Sequence, residues 1–153
     1  ASYLAGPVVS LSASLKTFDK GIGKKKIGPY LLDANDSFVS TVQFAGGALG
    51  TVHLSRWATG HANREYLCVY GDKGAVEIDF EKGNGKLRYC EDKKNEWKEI
   101  DCPPTPTMQA RFVKSIETGV NDASDFANGL RVQKVLEATF KSAKTGRPVR
   151  IGR

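Results

Sequence analysis

The periodicity of apolar residues changes once along this chain, and that change constrains the fold more than any other feature of the sequence. Residues 8–17 alternate, with Val9, Leu11, Ala13 and Leu15 on one side and serine or lysine on the other. Alternation with period two is typical of a β-strand that buries one face. Similar patterns predict further strands at residues 37–44, 48–55, 65–70, 75–80, 86–90, 97–100 and 149–151.

Helical spacing replaces this alternation in the last third of the chain. Prolines between residues 103 and 106 end the run of strands, because proline has no N–H to donate to a sheet ladder. Apolar residues then recur three and four apart over residues 108–116 and 130–143, which predicts two amphipathic helices. Asp125 is placed to cap the second helix and Gly146 to end it.

The predicted fold class is therefore α+β, with two layers, a mostly antiparallel open-faced sheet and helices packed on one face. A length of 153 residues suits one domain, residues 1–153. Pairing of the second and third strands would set Val42 and Phe44 opposite Val52 and Leu54. The residues expected on the helix-free face are Ser10, Ser12, Thr41, Gln43, Thr51 and His53. Such a face suits a partner domain or a second subunit.

The loop between the strands at 48–55 and 65–70 carries the main candidate binding residues. Trp57, His61 and Arg64 lie in this loop, and loops held by a rigid sheet often bear binding groups. An arginine can hold a carboxylate or phosphate through two parallel hydrogen bonds, and a tryptophan ring can stack on a sugar or a nicotinamide. The alternative left open is a surface loop whose Trp57 packs over the sheet edge. His53, in mid-strand, is interpreted as a structural or surface histidine.

The sequence contains no motif for several other kinds of functional site. Residues 21–26, GIGKKK, begin like a dinucleotide fingerprint but lack its third glycine and lead into no predicted helix. There is no Walker-type phosphate loop and no nucleophile elbow, and the three cysteines include no CxxC pair. No metal ligand and no cofactor-binding residue is therefore assigned. The carboxylates Asp33 and Asp36 are interpreted as turn or capping residues.

The net charge of +6 raises the question of a nucleic-acid partner. Only residues 24–26 form a dense basic run, whereas the other cations are interleaved with carboxylates. A nucleic-acid surface would gather lysine and arginine on one face, so such a binder is kept as a minor alternative. The unpaired cysteine pattern and the lack of a long apolar run predict a cytoplasmic protein with no membrane partner.

Three segments together carry a family resemblance. Residues 36–50 have the form of a D-x7-F-x-x-G-A-x-G hairpin, and residues 69–75 that of a V-x-G-x-x-G turn. Residues 125–149 read as a closing helix and strand. In order and spacing these segments resemble the C-terminal domain of the glucose-fructose oxidoreductase/inositol dehydrogenase (Gfo/Idh/MocA) family.

This resemblance implies an N-terminal Rossmann domain that binds NAD or NADP and that is absent from this chain. The family's Glu-Lys-Pro motif lies in that domain, and its Asp/His helix pair would fall just before residue 1. No catalytic residue can therefore be transferred to this sequence. In the family, the second domain shapes the substrate pocket, and its open sheet face commonly forms the subunit contact.

The function implied is a C-terminal substrate and oligomerisation domain of an NAD(P)-dependent oxidoreductase that acts on a sugar, a polyol or a related small molecule. The chain alone would be inactive and would bind no cofactor. Trp57, His61 and Arg64 are the expected substrate contacts. The expected partners are the Rossmann domain, a second copy of the chain and the small molecule, with no nucleic acid. A non-catalytic dimerisation or binding module is the alternative.

Overall fold

The computed structural model describes residues 1–18, 25–61, 63–80 and 86–152. The helices are α1 (Ser2–Ala5), α2 (Met108–Thr118) and α3 (Phe126–Thr145). The strands are β1 (Val8–Lys16), β2 (Lys26–Ile27), β3 (Tyr30–Leu31), β4 (Ser37–Phe44), β5 (Leu49–Ser55), β6 (Tyr66–Gly71), β7 (Gly74–Asp79), β8 (Lys86–Glu91), β9 (Trp97–Asp101) and β10 (Val149–Arg150). The predicted α+β class is confirmed.

The described strands fall into two four-stranded antiparallel sheets and a two-stranded ribbon, where the sequence suggested one wide sheet. The first sheet has the order β10-β1-β4-β5 and the second the order β6-β7-β8-β9. The chain correspondingly divides into two compact units. The first unit comprises Ala1–Trp57 with Thr118–Arg153, and the second comprises Ala58–Glu117.

The first unit holds a small apolar core between its sheet and α3. The buried apolar residues are Val8, Leu11, Val42, Phe44 and Ala138. The sequence pattern grouped Val9 with Leu11, but the register shifts between Val8 and Ser10 in a β-bulge. The extra residue turns Val8 inward and leaves Val9 38% exposed.

The pairing of β4 with β5 corrects the register expected from the sequence. Val42 lies opposite Gly50, not opposite Val52. A Cβ at Gly50 would come within 3.2 Å of side-chain atoms of both Phe44 and Val42. Glycine at this position lets the Phe44 ring lie close over β5, so packing sets this register as well as the hairpin turn.

Both predicted caps of α3 are confirmed. Asp125 accepts a hydrogen bond from the Asn128 N–H at 2.7 Å, and Gly146 has the left-handed φ of 65°. The face of α3 that packs inward is small and partly polar: its buried residues are Ala138, Thr139 and Ser142. Leu136 and Phe140, which the helical spacing placed on the apolar stripe, are 43% and 54% exposed.

Ser142 joins α3 to the edge of β1. Strand β10 pairs with β1 only at Ser10 and Leu11. The Ala13 N–H, on the same edge of β1 but beyond this pairing, therefore needs another acceptor. Ser142 Oγ accepts that bond at 3.0 Å and donates to the Arg147 carbonyl at 2.8 Å. With 1% of its surface exposed, Ser142 replaces a missing strand partner.

The second unit has no buried residue among those that the structure describes. Its four strands form a simple meander, and the predicted glycine turn joins β6 to β7. Gly74 has a φ of +143°, and a Cβ there would lie 2.2 Å from the Cys90 carbonyl oxygen. The predicted apolar stripe of α2 is exposed: Met108, Phe112, Val113 and Ile116 each keep half or more of their surface in contact with solvent.

Residues 18–35 were predicted as a loop, and within them β2 and β3 form a short ribbon through Ile27 and Tyr30. The GIGK part of the glycine–lysine segment, residues 21–24, and the turn predicted at residues 83–85 lie outside the described residues. No helix in the described part of the chain combines the length and the apolar character needed to span a membrane.

Candidate functional site

Asp36 connects three strands at one end of the first sheet. It directly precedes β4, which lies between β1 and β5. Its N–H donates to the Lys16 carbonyl at 2.9 Å, and its carbonyl accepts from the Arg56 N–H at 2.8 Å. Its side-chain Oδ2 accepts from the Phe18 N–H at 2.8 Å. Asp36 is only 4% exposed, and these bonds fix the chain directions after β1 and after β5.

Phe18 and Trp57 meet where those two chain segments emerge. Their ring centroids are 6.1 Å apart with an interplanar angle of 63°, an edge-to-face pair. Aromatic rings prefer this arrangement because the positive edge of one faces the negative face of the other. Both residues remain partly open to solvent, Phe18 at 38% and Trp57 at 51%. We call Phe18, Asp36 and Trp57 the aromatic corner.

Two serines hold the Trp57 backbone in place. The Trp57 N–H donates to Ser55 Oγ at 3.1 Å. Ser37 Oγ donates to the same Ser55 oxygen at 2.7 Å, and Ser37 and Ser55 are direct cross-strand partners on β4 and β5. The turn that leads into Trp57 therefore starts at Ser37 and Ser55, the last residue pair between β4 and β5.

His61 and Arg64 belong to the second unit and are described with it. The His61 N–H donates to the Ala58 carbonyl at 2.9 Å and closes a turn that contains Gly60 at a φ of +86°. Arg64 Nε and Nη2 both donate to Asp79 Oδ2, at 3.2 and 2.7 Å. Ala62, between them in sequence, lies outside the described residues.

The Asp79 carboxylate is the ion-pair partner of Arg64. Tyr66 and Asp79 are cross-strand partners on β6 and β7, and the Arg64 guanidinium carbon lies 5.4 Å from the centre of the Tyr66 ring. An ion pair with a half-buried carboxylate compensates the guanidinium charge. Two of the Arg64 nitrogens, Nε and Nη2, therefore bond to this carboxylate within the second unit.

The sequence interpretation found some of these residues and missed others. Trp57 was predicted as a binding residue, and the structure places it in the aromatic corner. Its partner Phe18 was not predicted, although an aromatic directly after an alternating strand was a usable signal. Asp36 was interpreted as a turn or capping carboxylate; its side chain does accept a backbone N–H, but from Phe18, which is 18 residues away.

One face of the second sheet carries a row of paired charges. Glu77 accepts a hydrogen bond from the Tyr66 hydroxyl at 2.9 Å and forms an ion pair with Arg88 on the neighbouring strand. The Glu77 carboxylate, hydrogen-bonded to the Tyr66 hydroxyl, raises the pKa of Tyr66 to about 12. Arg88 also lies 5.2 Å from the centre of the Trp97 ring. Through these interactions, most of the charged side chains on this face have a partner on the same face.

The helix-free face of the first sheet is made of the residues predicted for it. Ser12, Thr41 and Thr51 form one row across β1, β4 and β5. Ser10 Oγ donates to Gln43 Oε1 at 2.7 Å within the next row. Exposed apolar residues flank these polar rows, with Leu49 77% and Val39 51% exposed. The face thus mixes hydroxyl groups with aliphatic side chains.

Two further observations concern cofactors. Among the described residues, no three His, Cys, Asp or Glu side chains gather into a group that could hold a metal ion. A groove of about 330 Å³ runs between α3 and β10, where Lys134, Lys141, Arg150 and Glu137 line it. The groove is open to solvent, and the mixed charges along it select no particular ligand.

Comparison with known proteins gives one family match. A family model described as the GFO/IDH/MocA C-terminal domain matches residues 1–77, which include the aromatic corner. A search of curated proteins found no match.

Solved oxidoreductases share the fold. Levoglucosan dehydrogenase in complex with NADH and L-sorbose is 23% identical with a TM-score of 0.85, covering 100% of this chain and 47% of that chain. An oxidoreductase domain protein from Kribbella flavida is 24% identical with a TM-score of 0.79, covering 95% of this chain and 46% of that chain. An oxidoreductase from Agrobacterium radiobacter in complex with NAD+, L-tartaric acid and magnesium is 20% identical with a TM-score of 0.75, covering 99% of this chain and 46% of that chain. The chain spans about half the length of these structures.

Proposed function

The chain belongs to the GFO/IDH/MocA C-terminal domain family, and on that premise we propose that it is the substrate-binding and assembly domain of an NAD-dependent oxidoreductase acting on a sugar or polyol. The family match over residues 1–77 is the observation that carries the proposal. The structure of similar fold in complex with NADH and L-sorbose supports the cofactor and the substrate class, and the one in complex with NAD+ and L-tartaric acid supports the cofactor.

The reaction proposed for the whole enzyme is the oxidation of a secondary alcohol. The hydride leaves the alcohol carbon for the nicotinamide, which supplies the redox chemistry when bound. The hydroxyl proton goes to a base, and the products are a ketone and the reduced cofactor. Both the nicotinamide site and the base are proposed to lie on a Rossmann domain and on the helix that follows it, outside these 153 residues. The chain alone is then inactive.

Within this chain, the proposed substrate contacts are Trp57, His61 and Arg64. The half-exposed Trp57 ring offers an apolar surface for the C–H face of a sugar. Arg64 offers hydroxyl-binding donors because Asp79 already compensates its charge. His61 adds a group that both donates and accepts hydrogen bonds. The compensated charge of Arg64 favours a neutral hydroxyl group as its ligand over a carboxylate.

The test of this function begins with the coding sequence upstream of Ala1. We expect it to encode a GxGxxG motif, then Glu-Lys-Pro, then a helix bearing Asp and His. The encoded protein should reduce NAD+ or NADP+ with levoglucosan or another polyol, followed by nicotinamide absorbance. Turnover by the 153-residue chain alone, or an upstream region with no nucleotide-binding domain, would contradict the proposal.

The assembly role is proposed for the helix-free face of the first sheet. Exposed aliphatic side chains beside rows of hydroxyl groups, as at Leu49 and Thr41, are typical of a surface that a second subunit covers. Thr41→Arg should convert a dimer into a monomer in light scattering, whereas the matched change Thr105→Arg, in an exposed loop, should not. A wild-type monomer at all concentrations would rule out this interface. A cytoplasmic location and the lack of a nucleic-acid partner stay predictions.

A further inference from the structure

We propose that Phe18 and Trp57 form a two-ring stacking surface for a cyclic sugar or polyol, and that Asp36 is the positioning residue for both rings. The class of ligand rests on the function proposed above. The choice of residues rests on the geometry of the first unit alone.

Asp36 is placed to control both rings because its strand is central. The two rings leave from β1 and β5, which do not pair with each other but both pair with β4. Asp36 bonds to the first segment through Phe18 N–H and Lys16 O, and to the second through Arg56 N–H. One residue thus sets the exit of both chain segments.

The side chain of Asp36 has a specific task in this arrangement. Its main-chain bonds would be available to any non-proline residue, whereas the bond to the Phe18 N–H needs a side-chain acceptor. A carboxylate that is 4% exposed is costly to bury unless it is hydrogen-bonded. The bond to Phe18 holds the first ring where its neighbour can meet it.

The exposure of the two rings distinguishes a stacking surface from core packing. An edge-to-face pair in a core would be covered, yet Phe18 keeps 38% and Trp57 51% of their surface open. The angle of 63° between the ring planes shapes a corner. A sugar ring has weakly positive C–H groups on one face, and these are attracted to the negative face of an aromatic ring. Hydroxyl groups at its rim can stay in water or bond elsewhere.

The experiment is an NMR titration of the 153-residue chain with levoglucosan and D-glucose, and with L-tartrate as the acyclic anionic comparison. We expect the cyclic ligands to shift the Trp57 indole signals and tartrate to leave them in place. Trp57→Leu should weaken binding of the cyclic ligands about tenfold and Phe18→Leu about threefold, the range for loss of an aromatic contact. The matched control is Phe126→Leu, because Phe126 lies on α3 with 99% of its surface exposed.

Asp36 is tested by a pair of variants. Asp36→Asn keeps an acceptor for the Phe18 N–H and should retain the Phe18–Trp57 ring-to-ring NOE and the wild-type affinity. Asp36→Ala removes the acceptor and should lose that NOE together with about threefold in affinity. If Asp36→Ala does not fold, the ring-to-ring NOE of Asp36→Asn decides: its retention supports a bond through a side-chain acceptor, and its loss would overturn the positioning role. A folded Asp36→Ala protein with an intact NOE and unchanged affinity would overturn the positioning role.

The stacking inference and the proposed function fail in different ways. No shift of the Trp57 signals by any cyclic ligand, up to its solubility limit, would overturn the stacking surface. Unchanged KM values for Phe18→Leu and Trp57→Leu in an intact enzyme that oxidises polyols would do the same and leave the function standing. An intact enzyme with no polyol oxidation would contradict the function, while the NMR shifts would still support the stacking surface.

Discussion

The two units of this chain are held together by different forces. The first unit buries an apolar core and supports it with a helix, a capped terminus and the Ser142 bridge. The second unit is a four-stranded meander with no buried residue among those described. One face of its sheet carries paired charges, and the other carries apolar residues such as Val69, Val76 and Ile100, each more than a third exposed. Burial therefore dominates the stability of the first unit, and backbone pairing and turn geometry dominate that of the second.

This contrast also bears on what each unit can do. A unit with its own core can hold side chains in fixed positions, as the aromatic corner shows. A sheet with an exposed apolar face gains stability when another surface covers it. The following predictions test this difference.

Removal of a core side chain should affect the first unit most. Leu11 is 2% exposed, and Leu11→Ala should lower the free energy of unfolding by about 2–5 kcal/mol, because the cavity adds to the lost burial. Chemical denaturation followed by circular dichroism measures the change. Leu49→Ala, at a side chain 77% exposed, should cost less than about 0.5 kcal/mol.

The same measurement of the free energy of unfolding can be made after a truncation in the second unit. Ile78 on β7 is partly buried, and Ile78→Ala should cost about 1 kcal/mol, well below the cost at Leu11. Equal costs at the two sites would show that the apolar face of the second sheet is covered in solution.

A change in turn geometry should break the second unit and leave the first intact. Gly74→Ala would force a Cβ to 2.2 Å from the Cys90 carbonyl at a φ of +143°, and we expect a loss of about 3 kcal/mol. Hydrogen exchange should show lost protection in β6, β7 and β8 with β1 and β4 still protected. Gly71→Ala is the matched control, since its nearest neighbour, the Gly74 oxygen, is 3.6 Å away. Loss of protection in β1 as well would show that the two units unfold together.

Removal of one buried hydroxyl should have an intermediate effect in the first unit. Ser142→Ala leaves the Ala13 N–H and the Arg147 carbonyl without their side-chain partner, and should cost about 1–3 kcal/mol. Exchange of the Ala13 amide should accelerate more than that of its neighbours. Ser14→Ala, on the exposed side of the same sheet, should change neither quantity.

The smallest effect is a pH dependence that belongs to the second unit. The pKa of Tyr66 is raised to about 12, first of all because the Glu77 carboxylate accepts its hydrogen bond. The bond therefore contributes fully below the unfolded pKa of about 10 and is lost as the pH rises through the folded pKa. Glu77→Gln should lower the Tyr66 pKa, measured from its ring resonances by NMR. Glu117→Gln on α2 should not, and an equal shift there would point to net charge as the cause.

Local structure was highly predictable from this sequence. The seven long strands were placed within one residue at each end, because alternation of apolar and polar residues is a direct consequence of the pleat. Asp125 and Gly146 were recognised at the ends of α3 because capping requires a side-chain acceptor at one end and a left-handed residue at the other. The residues on the helix-free face also followed from alternation alone.

Long-range pairing was less predictable. A β-bulge in β1 exchanged Val9 for Val8 in the core, and Gly50 set the register of β5 through the ring of Phe44. The inward face of α3 proved to be small and partly polar, and Ser142 on this face bonds to the backbone of β1. Each of these outcomes depends on a neighbour that is distant in sequence.

The sequence by itself determined the seven long strands, the helices α2 and α3, the caps of α3 and the family, because each of these follows from the local spacing of residues. Only the tertiary structure decided that Asp36 holds Phe18, that Phe18 meets Trp57, and that Asp79 compensates Arg64. The physical reason is strand order. Because β4 inserts between β1 and β5, segments that are 39 positions apart at Phe18 and Trp57 emerge side by side, and no local pattern records that meeting.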